Sequence, residues 1–272
     1  MTTGSSYVRA ALGSLPGRAR GAALPDGAAT RQAVVVDREH LAAYDRVCGF
    51  RLGDVLPATY PHVLAFPLAM RLMTTPGFPL PLVGLVHVAN RITVRRPVGA
   101  ASPLDLAVRT VDLRDHPRGR QFDLVASASV DGVPVWESVS TYLRITRPSP
   151  GTTTPPPVAD ASFPSNAVWR VPAGVGGAYA AVSGDRNPIH TSALGARLFG
   201  FPRPIAHGMW TKARALAALE GRLPEAYTVE VAFKQPVPLP ARVRFQAARE
   251  GDGWRFALTS RRPHLTGSVT VG

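Results

Sequence analysis

Cysteine is nearly absent: Cys48 is the single thiol in 272 residues. No disulfide can close within the chain, and nothing in its cysteine usage asks for an oxidising compartment, so a cytoplasmic location is expected. Long apolar runs are missing as well. No stretch reaches the roughly 18 apolar residues that cross a bilayer, so no membrane insertion is expected. The short apolar patch at Ala10–Leu15 is broken by Gly13 and Ser14 and followed by Pro16 and Arg18, which argues against a secretory signal. Acidic residues are scarce, 18 against 31 lysines and arginines, for a formal charge of +13. Such an excess suits nucleic acid, an anionic membrane face, or acidic ligands such as phosphate-bearing cofactors and carrier proteins. The basic residues are mostly arginines spread along the chain (Arg91, Arg95, Arg96, Arg109, Arg114), with no dense basic run and no zinc-finger spacing. No nucleic-acid partner is therefore expected.

What is present is a globular composition, 45% hydrophobic, with length for one large domain or two of moderate size. Residues 1–32, rich in Gly, Ala, Ser and Arg, read as a loosely held leader. A first unit, 33–147, opens with a short strand at Val34–Val36 and helices at Asp37–Tyr44 and Thr59–Met73. Strands follow at Leu85–Val98, Leu104–Asp112, Phe122–Val130 and Val135–Ile145, with Asp131-Gly132 as a hairpin turn. In the last strand Val139, Thr141, Leu143 and Ile145 share one face and Ser138, Ser140 and Tyr142 the other. Residues 148–165, which include Gly151-Thr-Thr-Thr-Pro-Pro-Pro157, read as a linker. A second unit, 166–272, repeats the order: helices at Asn187–Phe199 and Gly208–Glu220, then strands at Tyr227–Pro236, Val243–Ala248, Trp254–Ser260 and Leu265–Val271.

The two halves also match faintly in sequence. Ile92-Thr-Val-Arg-Arg-Pro-Val98 aligns with Val231-Ala-Phe-Lys-Gln-Pro-Val237, and the offset of 139 between Pro97 and Pro236 also pairs Met70 with Met209. On that pairing the two methionines fall at corresponding points of two central helices, which points to duplication. At the same offset Arg46 and Arg51 stand opposite Asp185 and His190, and Leu68-Ala69 opposite His207-Gly208, so only the second half holds the chemistry.

That chemistry lies between Tyr179 and Met209. Asn187-Pro188 is a helix start, an N-cap followed by a proline at the first helical position. A helix from Pro188 to Phe199, stopped by Gly200, would bury Ile189, Leu194 and Leu198 and let the Asn187 side chain cap the His190 amide. The positive end of that helix would favour ionised Asp185 and oppose protonation of His190, while the Asp185 charge pulls the other way. A carboxylate beside a largely neutral imidazole is a usable acid/base pair. Capping accounts for Asn187, and the turn accounts for Gly184 and Asp185. Neither accounts for His190 or for the second turn, His207-Gly208.

The run Tyr179-Ala-Ala-Val-Ser-Gly-Asp-Arg-Asn-Pro-Ile-His190 resembles the signature of (R)-specific enoyl-CoA hydratases and MaoC-like dehydratases, and Arg203-Pro-Ile-Ala-His-Gly-Met209 resembles that family's next landmark. The resemblance implies an α+β double hot-dog fold, two units each with a central helix wrapped by a curved antiparallel sheet, as a monomer or a homodimer. It implies hydration of a trans-2-enoyl thioester to a (3R)-3-hydroxyacyl thioester of CoA or acyl carrier protein, with no metal or other cofactor. Asp185 and His190 would hold the water, Asn187 would support them, and the Gly208 amide would receive charge from the thioester oxygen. His207, Met209, Met70 and Met73 would contact substrate, the last two within an acyl-lining segment Leu52–Met73, and Lys234 and Arg203 would meet the phosphates or an acidic carrier. Other functions for such a chain are a thioesterase, a non-catalytic acyl-thioester binder and a basic nucleic-acid-binding protein.

Overall fold

The computed structural model describes residues 21–146 and 165–272. Most of the expected leader and nearly all of the expected linker lie outside these residues. Strand β1 (Ala29–Val34) begins within the span read as leader, because Ala29 and Val34 are buried and pair along β3 (Leu104–His116). Helix α1 (Arg38–Cys48) starts where Asp37 Oδ1 accepts from the Glu39 amide at 2.9 Å, and it ends on Gly49, whose φ of 80° few other residues adopt comfortably. Helix α2 (Tyr60–Met73) is covered on nearly every side. It leads to β2 (Leu85–Val94), β3, β4 (Gly119–Val130) and β5 (Val133–Ile145). The β4–β5 turn is Asp131-Gly132, with φ of 51° and 77°, both positive as a tight hairpin requires.

The second half repeats the plan. Strand β6 (Ser165–Val171) and helix α3 (Val175–Ser183), neither of them expected from the sequence, correspond to β1 and α1. Two short helices, α4 (Pro188–Thr191) and α5 (Ala193–Leu198), precede α6 (Gly208–Ala218), and β7 (Tyr227–Phe233), β8 (Ala241–Glu250), β9 (Gly253–Thr259) and β10 (Pro263–Val271) follow. Among the described residues ten strands form one sheet in the order β1-β3-β4-β5-β2-β7-β10-β9-β8-β6, antiparallel at every step. The order reads the same outward from the β2–β7 seam, where Ala89–Val94 pair with Tyr227–Ala232. This is a double hot-dog, with α2 and α6 held in the two curved halves of a continuous sheet.

Two expectations need correction. The Pro188–Phe199 helix is broken at Ser192, which is extended (φ −139°, ψ 132°), and the Ser192 hydroxyl caps the next helix at the Gly195 amide. Gly195 packs so tightly on Pro188 that a β-carbon there would lie 2.8 Å from the Pro188 carbonyl oxygen. Leu194 and Leu198 consequently face outward, 70% and 76% exposed, and are not buried. The offset of 139 does not extend to the central helices either. Met70 lies in the last turn of α2, whereas Met209 lies in the first turn of α6. The connection ahead of α2 spans residues 49–59, and the one ahead of α6 spans 184–207, so the longer segment shifts one helix against the other. That longer segment is the one carrying Asp185 and His190.

A buried lysine ties the halves together. Lys212, on α6 one turn past Gly208, has no exposed surface. Its Nζ donates to Asn90 Oδ1 at 2.6 Å, to the Val229 carbonyl at 3.1 Å and to the Asn90 carbonyl at 3.2 Å. Asn90 Nδ2 in turn donates to Ser138 and Ser140 on β5. Burial pulls the lysine pKa well down, but three oxygen acceptors match the three N–H groups of an ammonium. The serine face of β5 is therefore the concave one, with Ser138 and Ser140 fully covered.

Candidate active site

The segment between α3 and α6 folds Asp185, His190, His207 and Gly208 into one place. Gly184 ends α3 with φ of 74°. The next residue, Asp185, accepts the Asn187 amide on Oδ1 at 3.2 Å, a local turn that fixes its carboxylate. The Asn187 side chain caps Ile189 at 3.3 Å, not His190 as expected, because α4 is a single turn and the His190 amide bonds the Asn187 carbonyl. So short a helix has little dipole to offer. His190 is kept neutral by burial, which lowers its pKa against the opposing pull of the Asp185 charge.

The imidazole tautomers follow from their partners. His190 Nδ1 lies 2.8 Å from the Ile205 carbonyl, which can only accept, so Nδ1 carries the proton and Nε2 presents a lone pair. His207 Nε2 lies 3.0 Å from the Asp185 carbonyl and 3.8 Å from its Oδ2, so that nitrogen is the donor. The two rings stack with centroids 3.7 Å apart. Burial, reinforced by His190, pushes the His207 pKa down to about 3. His207 is buried behind the turn with Tyr179 4.9 Å from its ring, so it touches the pair itself and props the main chain of Asp185. Asp185, His190 and His207 also form a group whose ligand-type atoms lie within 4.8 Å of one another, a spacing compatible with a metal ion. Carbonyl oxygens already engage one nitrogen of each ring.

Gly208 opens α6, and the preceding His207 side chain makes no capping bond to it. The first amides of the helix have no partner within it. A β-carbon on Gly208 would sit 3.1 Å from the Phe233 ring, so the position suits glycine on steric grounds too. Met209 is buried on the same turn. Met70 and Met73 belong to the core, 1% and 4% exposed, while Arg203 and Lys234 are exposed on the loop before α6 and just past β7. The sequence reading missed His62, His87 and Tyr142, all of which feel the Asp185 charge, and Lys212. The available signal for the last was a lysine in a helix otherwise rich in alanine and other apolar residues.

Residues 177–262 match the MaoC like domain family. Over 269 residues the chain is 41% identical to the 3-hydroxyacyl-thioester dehydratase X of Mycobacterium tuberculosis, a span covering 97% of this chain and 96% of that protein. The crystal structure of HtdX from that organism matches with a TM-score of 0.81 and 38% identity, covering 90% of this chain and 100% of the other. A second Mycobacterium tuberculosis protein, described as a double hotdog, matches with a TM-score of 0.57, 14% identity and coverage of 90% and 96%, a likeness of fold alone. With identity of that level along nearly its whole length, and with Asp185, His190 and Gly208 inside the matched segment, the chain belongs to the family of MaoC-like dehydratases.

Proposed function

We propose that this chain catalyses the reversible hydration of trans-2-enoyl thioesters to (3R)-3-hydroxyacyl thioesters. The supporting observation is the pairing of a carboxylate, Asp185, with a neutral imidazole, His190, whose Nε2 is left as an acceptor by the Ile205 carbonyl. Two acceptors can hold both hydrogens of one water and leave its lone pair free to attack C3. One of its protons passes to the pair and then to C2, while hydroxide adds at C3, and the reverse sequence releases water. Charge that develops on the thioester oxygen meets the Gly208 amide, a donor typically worth about 3 kcal/mol in such a position. Asn187 and His207 are positioning residues, one through the α4 cap and the other through the Asp185 carbonyl.

The relative in Mycobacterium tuberculosis is by name a 3-hydroxyacyl-thioester dehydratase, which supports the same substrate class here. Catalysis is assigned to residues 166–272, and 33–147 is the half that supports it and lines the acyl chain, with Met70 and Met73 in the wall behind. The carrier is CoA or an acyl carrier protein, whose phosphates or acidic face Arg203 and Lys234 would meet. The test is loss of enone absorbance when purified protein is given trans-2-enoyl-CoA. Asp185→Asn and His190→Gln should keep the fold and lose activity by about 100-fold or more. Wild-type rates in both variants would remove the assignment.

A further inference from the structure

A set of polar rings sits beside the catalytic pair and is not used by the chemistry above. His87 on β2 stacks on Tyr142 of β5 with centroids 4.6 Å apart, and tilts against Phe233 at 4.9 Å. His62 on α2 lies parallel to His87 at 6.3 Å. Phe233 is also the ring against Gly208, so the cluster starts one ring away from the oxyanion amide. The Asp185 charge reaches His62, His87 and Tyr142 alike. These rings therefore form a continuous run of contacts from the Gly208 turn to His62, on the Asp185 side of the interior.

His87 is aimed there by an irregularity in the strand. The β2–β5 register shifts between His87 and Ala89, so that His87 faces Tyr142 while Asn90 faces Ser140. In a regular strand residues three apart point to opposite faces. The bulge turns both His87 and Asn90 to the concave side, a device that re-aims a side chain at a cost in pairing. Yet His87 Nε2 is buried without a hydrogen-bond partner. A leucine or phenylalanine would line a hydrocarbon slot without that cost, so the nitrogen calls for a polar occupant.

We propose that this chamber takes an acyl chain bearing a hydroxyl group beyond C3, bound to His87 Nε2 between the faces of His62, Tyr142 and Phe233. The inference rests on the dehydratase reading and names its substrate class more narrowly. Burial, with the Lys212 charge acting in the same sense, keeps both imidazoles neutral, His87 near 3 and His62 near 4, so neither ring offers a charge to a carboxylate. The other ring nitrogen donates to the Ala89 backbone, which leaves Nε2 as an acceptor; a hydroxyl can donate to it, whereas a carbonyl cannot.

The experiment is a series of trans-2-enoyl-CoA substrates of one chain length, unsubstituted or carrying a single hydroxyl at each position from C5 outward, compared by kcat/KM. One positional isomer should exceed the unsubstituted chain by about tenfold, the effect of one buried hydrogen bond. In His87→Phe that ratio should fall to one or below, and Tyr142→Phe, which keeps the stacked ring, should retain it. The wild-type series decides the matter even if His87→Phe does not fold. A wild-type preference for the unsubstituted chain at every position, as expected if Nε2 holds only an ordered water, overturns the proposal, and so does a preference that survives in His87→Phe. Absence of turnover with any enoyl-CoA would instead count against the dehydratase reading.

Discussion

Acidification from pH 6 to pH 5 probes the interior of this protein directly, because burial lowers the pKa of five histidines in the folded state, His190 and His264 among them. His62 is held near 4, and His87 and His207 near 3, in each case chiefly by burial. Unfolded, each returns to about 6.5 and binds a proton across this interval. The unfolded chain then holds more protons than the native one. Stability contributed by the neutral histidines is complete above pH 6.5 and falls as the pH drops toward their folded values. Asp45 acts in the opposite sense. Its carboxyl is raised to about 6 by burial and by Glu220, so the native state gains a proton there that the unfolded chain does not bind until near 3.8. For His62, His87 and His207, three protons against one leave a net difference of about two, to which His190 and His264 add in the same sense. At about 1.4 kcal/mol per proton per pH unit, the step from pH 6 to pH 5 should cost about 3 kcal/mol or more of folding free energy. That is a large part of the 5–15 kcal/mol that is typical of folded domains. Urea unfolding followed by tryptophan fluorescence at pH 7.5, 6 and 5 measures it. His87→Phe should reduce the slope by about 1.4 kcal/mol per pH unit, and Asp45→Asn should steepen it by a similar amount. A folding free energy that stays level or rises between pH 6 and 5 would refute the account.

The same reasoning applies to turnover. Because His190 must be neutral to accept a proton and its pKa is lowered, the acid limb of the kcat/KM profile should fall below pH 6.5, and a limb at or above 6.5 would contradict it. Lys212→Met removes three charge-assisted bonds but also the cost of burying an ammonium, and takes one donor from each of three buried oxygens. A net loss of about 3 kcal/mol in urea unfolding is expected, and an unchanged midpoint would show that the network contributes nothing. Gly208→Ala brings a methyl group to 3.1 Å from the Phe233 ring and into the path of the thioester, so kcat should drop while the unfolding midpoint moves little.

Sequence reasoning reached the parts of this structure governed by local rules. The Asp131-Gly132 turn, the strands on either side of it, and the pairing of Asp185 with His190 depend on residues within a few positions of one another. It did not reach features settled by distant partners. Strand β6 and helix α3 have little pattern of their own; α3 contains Gly176 and Gly177, and its place is set by packing on α1. The break at Ser192 arises because a second capping residue meets a glycine pressed against Pro188. On β5 an alternating pattern separates Val139 from Ser138 without saying which face is concave. The serines lie inside only because Asn90 and Lys212, far away in the chain, need them. The bulge that turns His87 inward likewise has no mark in Leu85–Val94.

The β2–β7 seam carries an evolutionary consequence. Were the two halves separate copies of one gene product, any substitution at the midline would strike both sides at once. Here Asn90 on β2 and Lys212 on α6 are different residues, each occurring once, and they meet although encoded far apart. Mutation can therefore remodel the side contributed by the first half while the turn carrying Asp185 and His190 stays intact, and on the proposed assignment substrate preference can drift independently of reaction type.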